Sequence, residues 1–218
     1  MNKINIVVVG AGMYVCGRGT DGYGTIMPAI CEWSKVNNIG EVGIAGRSRK
    51  GVNDAKKKIE RLQKKMGTAA SIGYFPDKRD DAGCYLEAIR KTPKPACAII
   101  AVPDNLHGEV AAAAIKAGLH TLVVKPLVPT VKEARELIKL QEIKHIYCAV
   151  EFHKRFDYAN LKLKDAIEQG VIGDPLYFLA EFSQRKSMPT RIFKKWVKST
   201  NIFQYLGIHY VDIIYFAT

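Results

Sequence analysis

Apolar residues fall into short runs separated by amphipathic stretches. The first run, Ile4-Asn5-Ile6-Val7-Val8-Val9, is β-branched and ends at Gly10, the pattern of a strand buried on both faces. A glycine-rich stretch follows, and then residues 26–36 read as a helix. Residues 41–45 read as a second short strand. Val52, Ala55, Ile59, Leu62 and Met66 recur three and four apart, which predicts an amphipathic helix over 52–66 with a lysine-rich outer face, stopped by Gly67. Further strands are predicted at 71–75, 96–102, 120–124 and 147–152. Helices are predicted at 81–91, at 105–117 before Gly118, and from the capping box Thr130-x-x-Glu133 to 143. Strands alternating with helices at this rhythm imply βαβ units, and so an α/β fold with a parallel sheet and helices on both faces.

The texture changes after residue 152. A helix over 158–169 stopped by Gly170, an alternating strand over 176–182 and a helix over 201–216 carrying His209 are predicted. These leave one sheet face without cover. The chain is therefore expected to divide into a unit at 1–149 and an incomplete α+β unit at 150–218, truncated or completing its core with another chain. Exposed apolar surface there makes a homo-oligomer plausible.

Composition narrows the class. The 218 residues are 48% hydrophobic and 25% charged, an ordinary globular balance. No apolar run approaches the ~18 residues of a membrane span, and no signal-peptide pattern opens the chain, so a soluble, cytoplasmic protein with no membrane partner is expected. Cys16, Cys31, Cys84, Cys97 and Cys148 are dispersed, without C-x-x-C, which argues against a disulfide framework or a structural zinc. No histidine pair has zinc spacing, so no metal is expected. The net charge of +12 comes from lysines spread over several predicted helices, among them Lys56, Lys57, Lys58, Lys64, Lys65, Lys162, Lys164, Lys194 and Lys195. That spread suits a solvated surface or an anionic small ligand better than nucleic acid.

Candidate chemistry begins at Gly10-Ala11-Gly12-Met13, directly after the first strand. Glycine there lets backbone approach a pyrophosphate at a helix N-terminus. The third glycine of the dinucleotide fingerprint is replaced by Val15, and Gly17, Gly19, Gly22 and Gly24 follow, so an enlarged loop before the helix is expected. At the end of the second strand, Ala45-Gly46-Arg47-Ser48-Arg49-Lys50 holds no carboxylate for a ribose 2′-hydroxyl. Arg47 and Ser48 suit a 2′-phosphate instead, and the expected cofactor is NADP or NAD with NADP preferred. A basic surface turn would read the same way.

Three further segments carry a resemblance: Val102-Pro103-Asp104-Asn105-Leu106-His107, Lys125-Pro126-Leu127, and Gly207-Ile208-His209-Tyr210-Val211-Asp212. With Val150-Glu151-Phe152-His153-Lys154-Arg155-Phe156-Asp157, they make the chain resemble the glucose-fructose oxidoreductase / inositol dehydrogenase / MocA oxidoreductases across essentially its whole length. The resemblance implies a Rossmann-type doubly wound parallel sheet and an NAD(P)-dependent oxidoreductase acting on a sugar-like small molecule. It implies catalytic roles for Lys125 and His209. Cofactor contacts would come from Val102, Pro103, Asp104, His107 and Lys125, in addition to the glycine turn. Substrate contacts would come from Lys154, Tyr205 and Asp212. The sequence departs from the family pattern at Val124 (Glu in relatives), Asp104 (Asn) and Tyr205 (Asp, four residues before the histidine). A phenol at 205 is neutral near pH 7, so a retuned substrate site and a weakened one both fit. The alternatives are a non-catalytic NADP(H)-binding module and, using the +12 charge, a nucleic-acid binder.

Overall fold

The β-branched opening run becomes the central strand of a six-stranded parallel sheet in a computed structural model that describes residues 3–188, 190 and 200–218. Lys194 and Lys195 lie outside the described residues. The chain order is β1 (Ile4–Val9), α1 (Met13–Cys16), α2 (Ile26–Ser34), β2 (Ile39–Ala45), α3 (Arg49–Met66), β3 (Ile72–Phe75), α4 (Cys84–Lys91), β4 (Ala96–Ile100), α5 (His107–Lys116), β5 (His120–Val124), α6 (Val131–Lys144), β6 (Cys148–Glu151), α7 (Tyr158–Glu168) and α8 (Ile208–Ala217). The strands lie in the order β3-β2-β1-β4-β5-β6. β1 pairs with β2 (Val8 beside Ile44) on one edge and with β4 (Val7 beside Ala98) on the other. The chain reverses direction across the sheet between β1 and β4, and ligands of open α/β sheets bind at such a crevice, beyond the carboxyl ends of the strands.

Both faces of the sheet are covered, because side chains alternate along each strand. Ile6 and Val8, with Val42 and Ile44, pack under Val15, Met27, Ile30, Val52, Ala55, Ile59 and Leu62 of α1, α2 and α3. Val7 and Val9, with Ala98, Ile100 and Val123, pack under Ala88, Ala111, Ala114, Ile115 and Leu137 of α4, α5 and α6. Each fully buried aliphatic side chain contributes ~1.5–3 kcal/mol, so this sandwich holds the sheet rigid behind its loops.

Local signals set the helix ends. Thr130 and Glu133 form the reciprocal capping box of α6, and Gly67 closes α3 with a left-handed backbone. One expectation is corrected. Residues 176–182 join no ladder. Leu176 and Leu179 are 92% and 81% exposed, and an alternating segment becomes a strand only beside a partner, which it lacks among the described residues. The enlarged glycine-rich loop does precede the expected helix, α2, which starts at Ile26; one extra helical turn, α1, stands ahead of the loop and ends at Gly17 (φ +71°). A Cβ on Gly17 would lie 2.0 Å from the Gly22 carbonyl oxygen, so the loop folds back on itself only with glycine at this position. The helix over 201–216 is subdivided, with a π-helical turn at Phe203–Gly207 leading into α8.

Candidate functional site

Gly10, at the carboxyl end of β1, lies against the chain leaving β4. Its φ is +134°, and a Cβ there would lie 2.3 Å from the Ala101 carbonyl oxygen. Gly12 caps α1, and the space its Cβ would occupy is open, with Met13 opening the helix behind it. The turn is thus a glycine cradle that side chains leave clear, as a dinucleotide pyrophosphate requires. The loop after α1 is strapped to α3. Lys58 Nζ donates to the carbonyls of Thr20 (2.6 Å) and Gly22 (3.0 Å) and, with Lys65, lies over the ring of Tyr23.

At the end of β2, Ser48 caps α3, its Oγ accepting the Gly51 N–H at 3.2 Å. Arg47 is exposed. Arg49 donates its backbone N–H to Asp80 (2.8 Å), which brings a carboxylate to a turn whose own sequence has none. A second guanidinium stands here: a Cβ on Gly51 would lie 2.1 Å from Arg18 Nη1, so Arg18 occupies the space over the first turn of α3. Sequence reasoning passed over Arg18, and the glycine at 51 that makes room for it was the only local sign.

The turns after β4 and β5 are tied together. One ring nitrogen of His107 lies 2.6 Å from the Pro126 carbonyl and the other 2.9 Å from that of Val102, so this buried ring braces both turns and is spent on backbone. Between them come Pro103, which is exposed, and Asp104, which is buried. Asp104 accepts from the Thr200 hydroxyl at 3.2 Å. Burial pushes its carboxyl pKa up, opposed by His107, Thr200 and Lys125.

Lys125 follows β5 with a cis peptide to Pro126. Its ammonium donates to the Tyr205 carbonyl and lies 4.4 Å from the Tyr205 ring centroid. Burial lowers its pKa, and the carboxylates of Asp104 and Glu151 act against that. Burial likewise raises the phenol of Tyr205. His209 is 4% exposed, and its Nδ1 finds no hydrogen-bond partner among the described residues. Its pKa is pushed down to about 3, by burial first and then by Lys125, His153 and Lys154.

Three residues along α8, Asp212 forms a two-pronged ion pair with Arg155 (Nε to Oδ2 2.7 Å, Nη2 to Oδ1 2.5 Å). The pair fixes α8 against the turn that follows β6, and it engages the carboxylate that the sequence offered to substrate. Lys154 pairs with Asp157 at 3.8 Å. The fold therefore gathers Lys125, Tyr205, His209 and Asp104 into one cluster. Arg47 and Ser48 stand apart from it, at the start of α3. It adds a group that sequence reasoning missed: Tyr14, Glu151 and His153, linked by hydrogen bonds. Chemically, the cluster offers an ammonium able to donate to an oxygen that gains charge and a neutral imidazole able to accept a hydrogen bond from a hydroxyl.

Comparison with known proteins fits this geometry. The model of the Gfo/Idh/MocA oxidoreductase family, described by its NAD-binding Rossmann fold, matches residues 4–152. An uncharacterized oxidoreductase of Schizosaccharomyces pombe is 34% identical over 120 residues, 52% of this chain and 31% of that protein. The scyllo-inositol 2-dehydrogenase (NADP(+)) of Bacillus subtilis is 28% identical over 139 residues, 63% of this chain and 38% of the relative. Among solved structures, myo-inositol 2-dehydrogenase from Lactobacillus plantarum superimposes with a TM-score of 0.67 at 18% identity, over 100% of this chain and 57% of that one, a likeness of fold. The chain thus spans about half the length of that solved relative, and the matched segments about a third of the curated ones.

Proposed function

This chain belongs to the Gfo/Idh/MocA oxidoreductase family, and from that premise we propose that it passes a hydride between a nicotinamide cofactor, NADP in preference to NAD, and the hydroxyl or ketone carbon of a sugar, cyclitol or sugar derivative. The observation that carries the reading is the convergence of Lys125, Tyr205 and His209 beyond the strand ends that also form the glycine cradle.

Residues 1–149 would hold the cofactor and 150–218 the substrate side. Gly10, Gly12 and Met13 would face the pyrophosphate, and Val102, Pro103 and Asp104 the nicotinamide side, with His107 bracing the turn. When bound, the cofactor supplies the hydride acceptor or donor. Lys125 donates to the substrate oxygen as it becomes an alkoxide. His209, neutral because burial and nearby cations disfavour its imidazolium, takes the hydroxyl proton. Tyr205 positions Lys125 through its carbonyl and ring. Asp212 acts through Arg155 to fix the face of α8 that carries His209. Lys154 would exchange its Asp157 partner for an anionic substrate group.

NADP preference is supported by Arg47 and Arg18 at the start of α3, and the B. subtilis relative is named for NADP(+). The reading includes a cytoplasmic setting, in keeping with five free thiols, and self-association through exposed Phe156, Tyr158, Leu176 and Tyr177. Among the described residues no helix is long and apolar enough to cross a membrane.

One observation favours a second reading, a nucleotide-binding module without turnover: the Lys125 ammonium is already engaged by Tyr205. The deciding experiment is a fluorescence titration with NADPH and NADH, followed by turnover with scyllo-inositol and NADP+. NADPH should bind more tightly than NADH. Arg18→Ala or Arg47→Ala should weaken NADPH by about 1–3 kcal/mol, the worth of a charged hydrogen bond, with little effect on NADH. Binding without turnover on any polyol or ketose selects the module. Absence of nucleotide binding rejects both readings.

A further inference from the structure

We propose that Tyr14, Glu151 and His153 form a proton relay beside the reaction centre, with His153 taking over the proton that His209 receives from the substrate hydroxyl; this rests on the hydride-transfer reading above.

The three side chains close a hydrogen-bonded cycle. The Tyr14 hydroxyl donates to Glu151 Oε2 at 2.9 Å. His153 Nδ1 lies 3.1 Å from Glu151 Oε1 and 3.2 Å from the Tyr14 hydroxyl. A carboxylate only accepts, and the phenol has already used its proton, so Nδ1 of His153 must be the nitrogen that carries hydrogen. The other ring nitrogen, Nε2, is then the bare acceptor, because the partner of one imidazole nitrogen sets the state of the other. The His153 ring stands edge to face with His209, centroids 5.0 Å apart, with no direct hydrogen bond between the rings, so a single bridging water carries the transfer. The two rings differ in what surrounds them. His209 is buried among Lys125, Lys154 and His153, with Nδ1 unpartnered among the described residues. His153 has a carboxylate against it, and its side chain is 40% exposed, open to water. The charged and titratable groups around the pair are thus Tyr14 on α1, Lys125 after β5, Glu151 on β6, and Lys154 in the following turn.

In the oxidative direction the substrate C–H bond would break, a bound nicotinamide cofactor supplying the acceptor for its electron pair as hydride. The O–H proton passes to His209 and the C–O bond becomes a carbonyl. His209 gives up a proton, through that water, to Nε2 of His153. The resulting imidazolium is held by Glu151 until the proton leaves to water. Reduction runs the same transfers backwards.

The test is long-range proton–nitrogen NMR of the histidine-labelled chain, without nucleotide or substrate, with His153→Gln to assign the signals. Neutral His153 should carry its proton on Nδ1, and Glu151→Leu should move it to Nε2. Glu151→Gln is the second variant, since an amide N–H facing Nδ1 drives the same switch. An Nε2–H form in the parent protein, or a tautomer indifferent to both variants, overturns the relay. In the same samples, exchange of the His209 ring proton with water should slow about tenfold or more in His153→Gln, general acid–base groups being worth ~10²–10⁴-fold. Unchanged exchange also overturns it. An NADPH titration on these samples separates the two ideas. Nucleotide binding with an Nε2–H His153 rejects the relay alone, whereas an Nδ1–H His153 in a chain that binds no nucleotide rejects the hydride-transfer reading and the relay's role with it.

Discussion

Burial, with Lys125, His153 and Lys154 close by, keeps His209 unprotonated in the folded chain, and this has a consequence for stability. An unfolded histidine titrates near ~6.5, while the native ring is pushed down to about 3. Between those values the unfolded chain binds a proton that the native chain does not, so stability rises with pH across the window. The contribution is complete above the unfolded value and is lost as pH falls toward the native one. Urea unfolding at pH 7.5 and pH 4.5 should show a smaller acid-induced loss in His209→Asn than in the parent; an equal loss would remove His209 as a source. The Arg155–Asp212 pair gives a second prediction at this scale. Asp212 is 8% exposed, so Arg155→Ala leaves a nearly buried carboxylate without its partner. That should cost about 2–4 kcal/mol in chemical denaturation, and kcat should fall as α8 loses its anchor.

Elements differ in how locally they are specified. The end of α6 is written into four consecutive residues: Thr130 Oγ1 accepts the Glu133 N–H at 3.2 Å, and Glu133 reaches back to the Thr130 N–H at 3.1 Å. Thr130→Ala should therefore cost ~1 kcal/mol in urea without changing nucleotide affinity, and a variant as stable as the parent would mean that tertiary packing alone fixes this helix start. The periodicity of α3 and the capping of α6 were legible because each signal lies within a few turns of its effect. Segment 176–182 was misread for the converse reason. Its alternation is real, but a strand is a property of two segments, and the ladder partner is not in the local sequence.

For the whole molecule, the two apolar layers on either face of the sheet set a platform whose strand-to-helix loops all emerge on one side. A ligand held across several of those loops stabilises the native state by mass action. NADPH at a hundredfold excess over its Kd should raise the unfolding free energy by ~2.7 kcal/mol, read as a shift in the denaturation midpoint. NADH at the same concentration should give less. An unshifted midpoint with either nucleotide would contradict cofactor binding independently of fluorescence.

By itself, the sequence determined the alternation of strands and helices, the parallel sheet, the glycine turn after β1, and the placing of Lys125 and His209 after β5 and in the last helix. All of these follow from periodicity, capping and short motifs, which act within a few residues. Only the tertiary structure decided which side chains meet. Tyr14 and Glu151 are 137 residues apart, Lys125 and Tyr205 are 80 apart, and Arg155 and Asp212 are 57 apart. Contacts at such separations exist only once the sheet has formed and the last helix has docked against α7 and the turn after β6. The same assembly removes water from His209 and gives His153 its carboxylate, so the protonation of the cluster is set by packing, beyond what any stretch of the chain states locally.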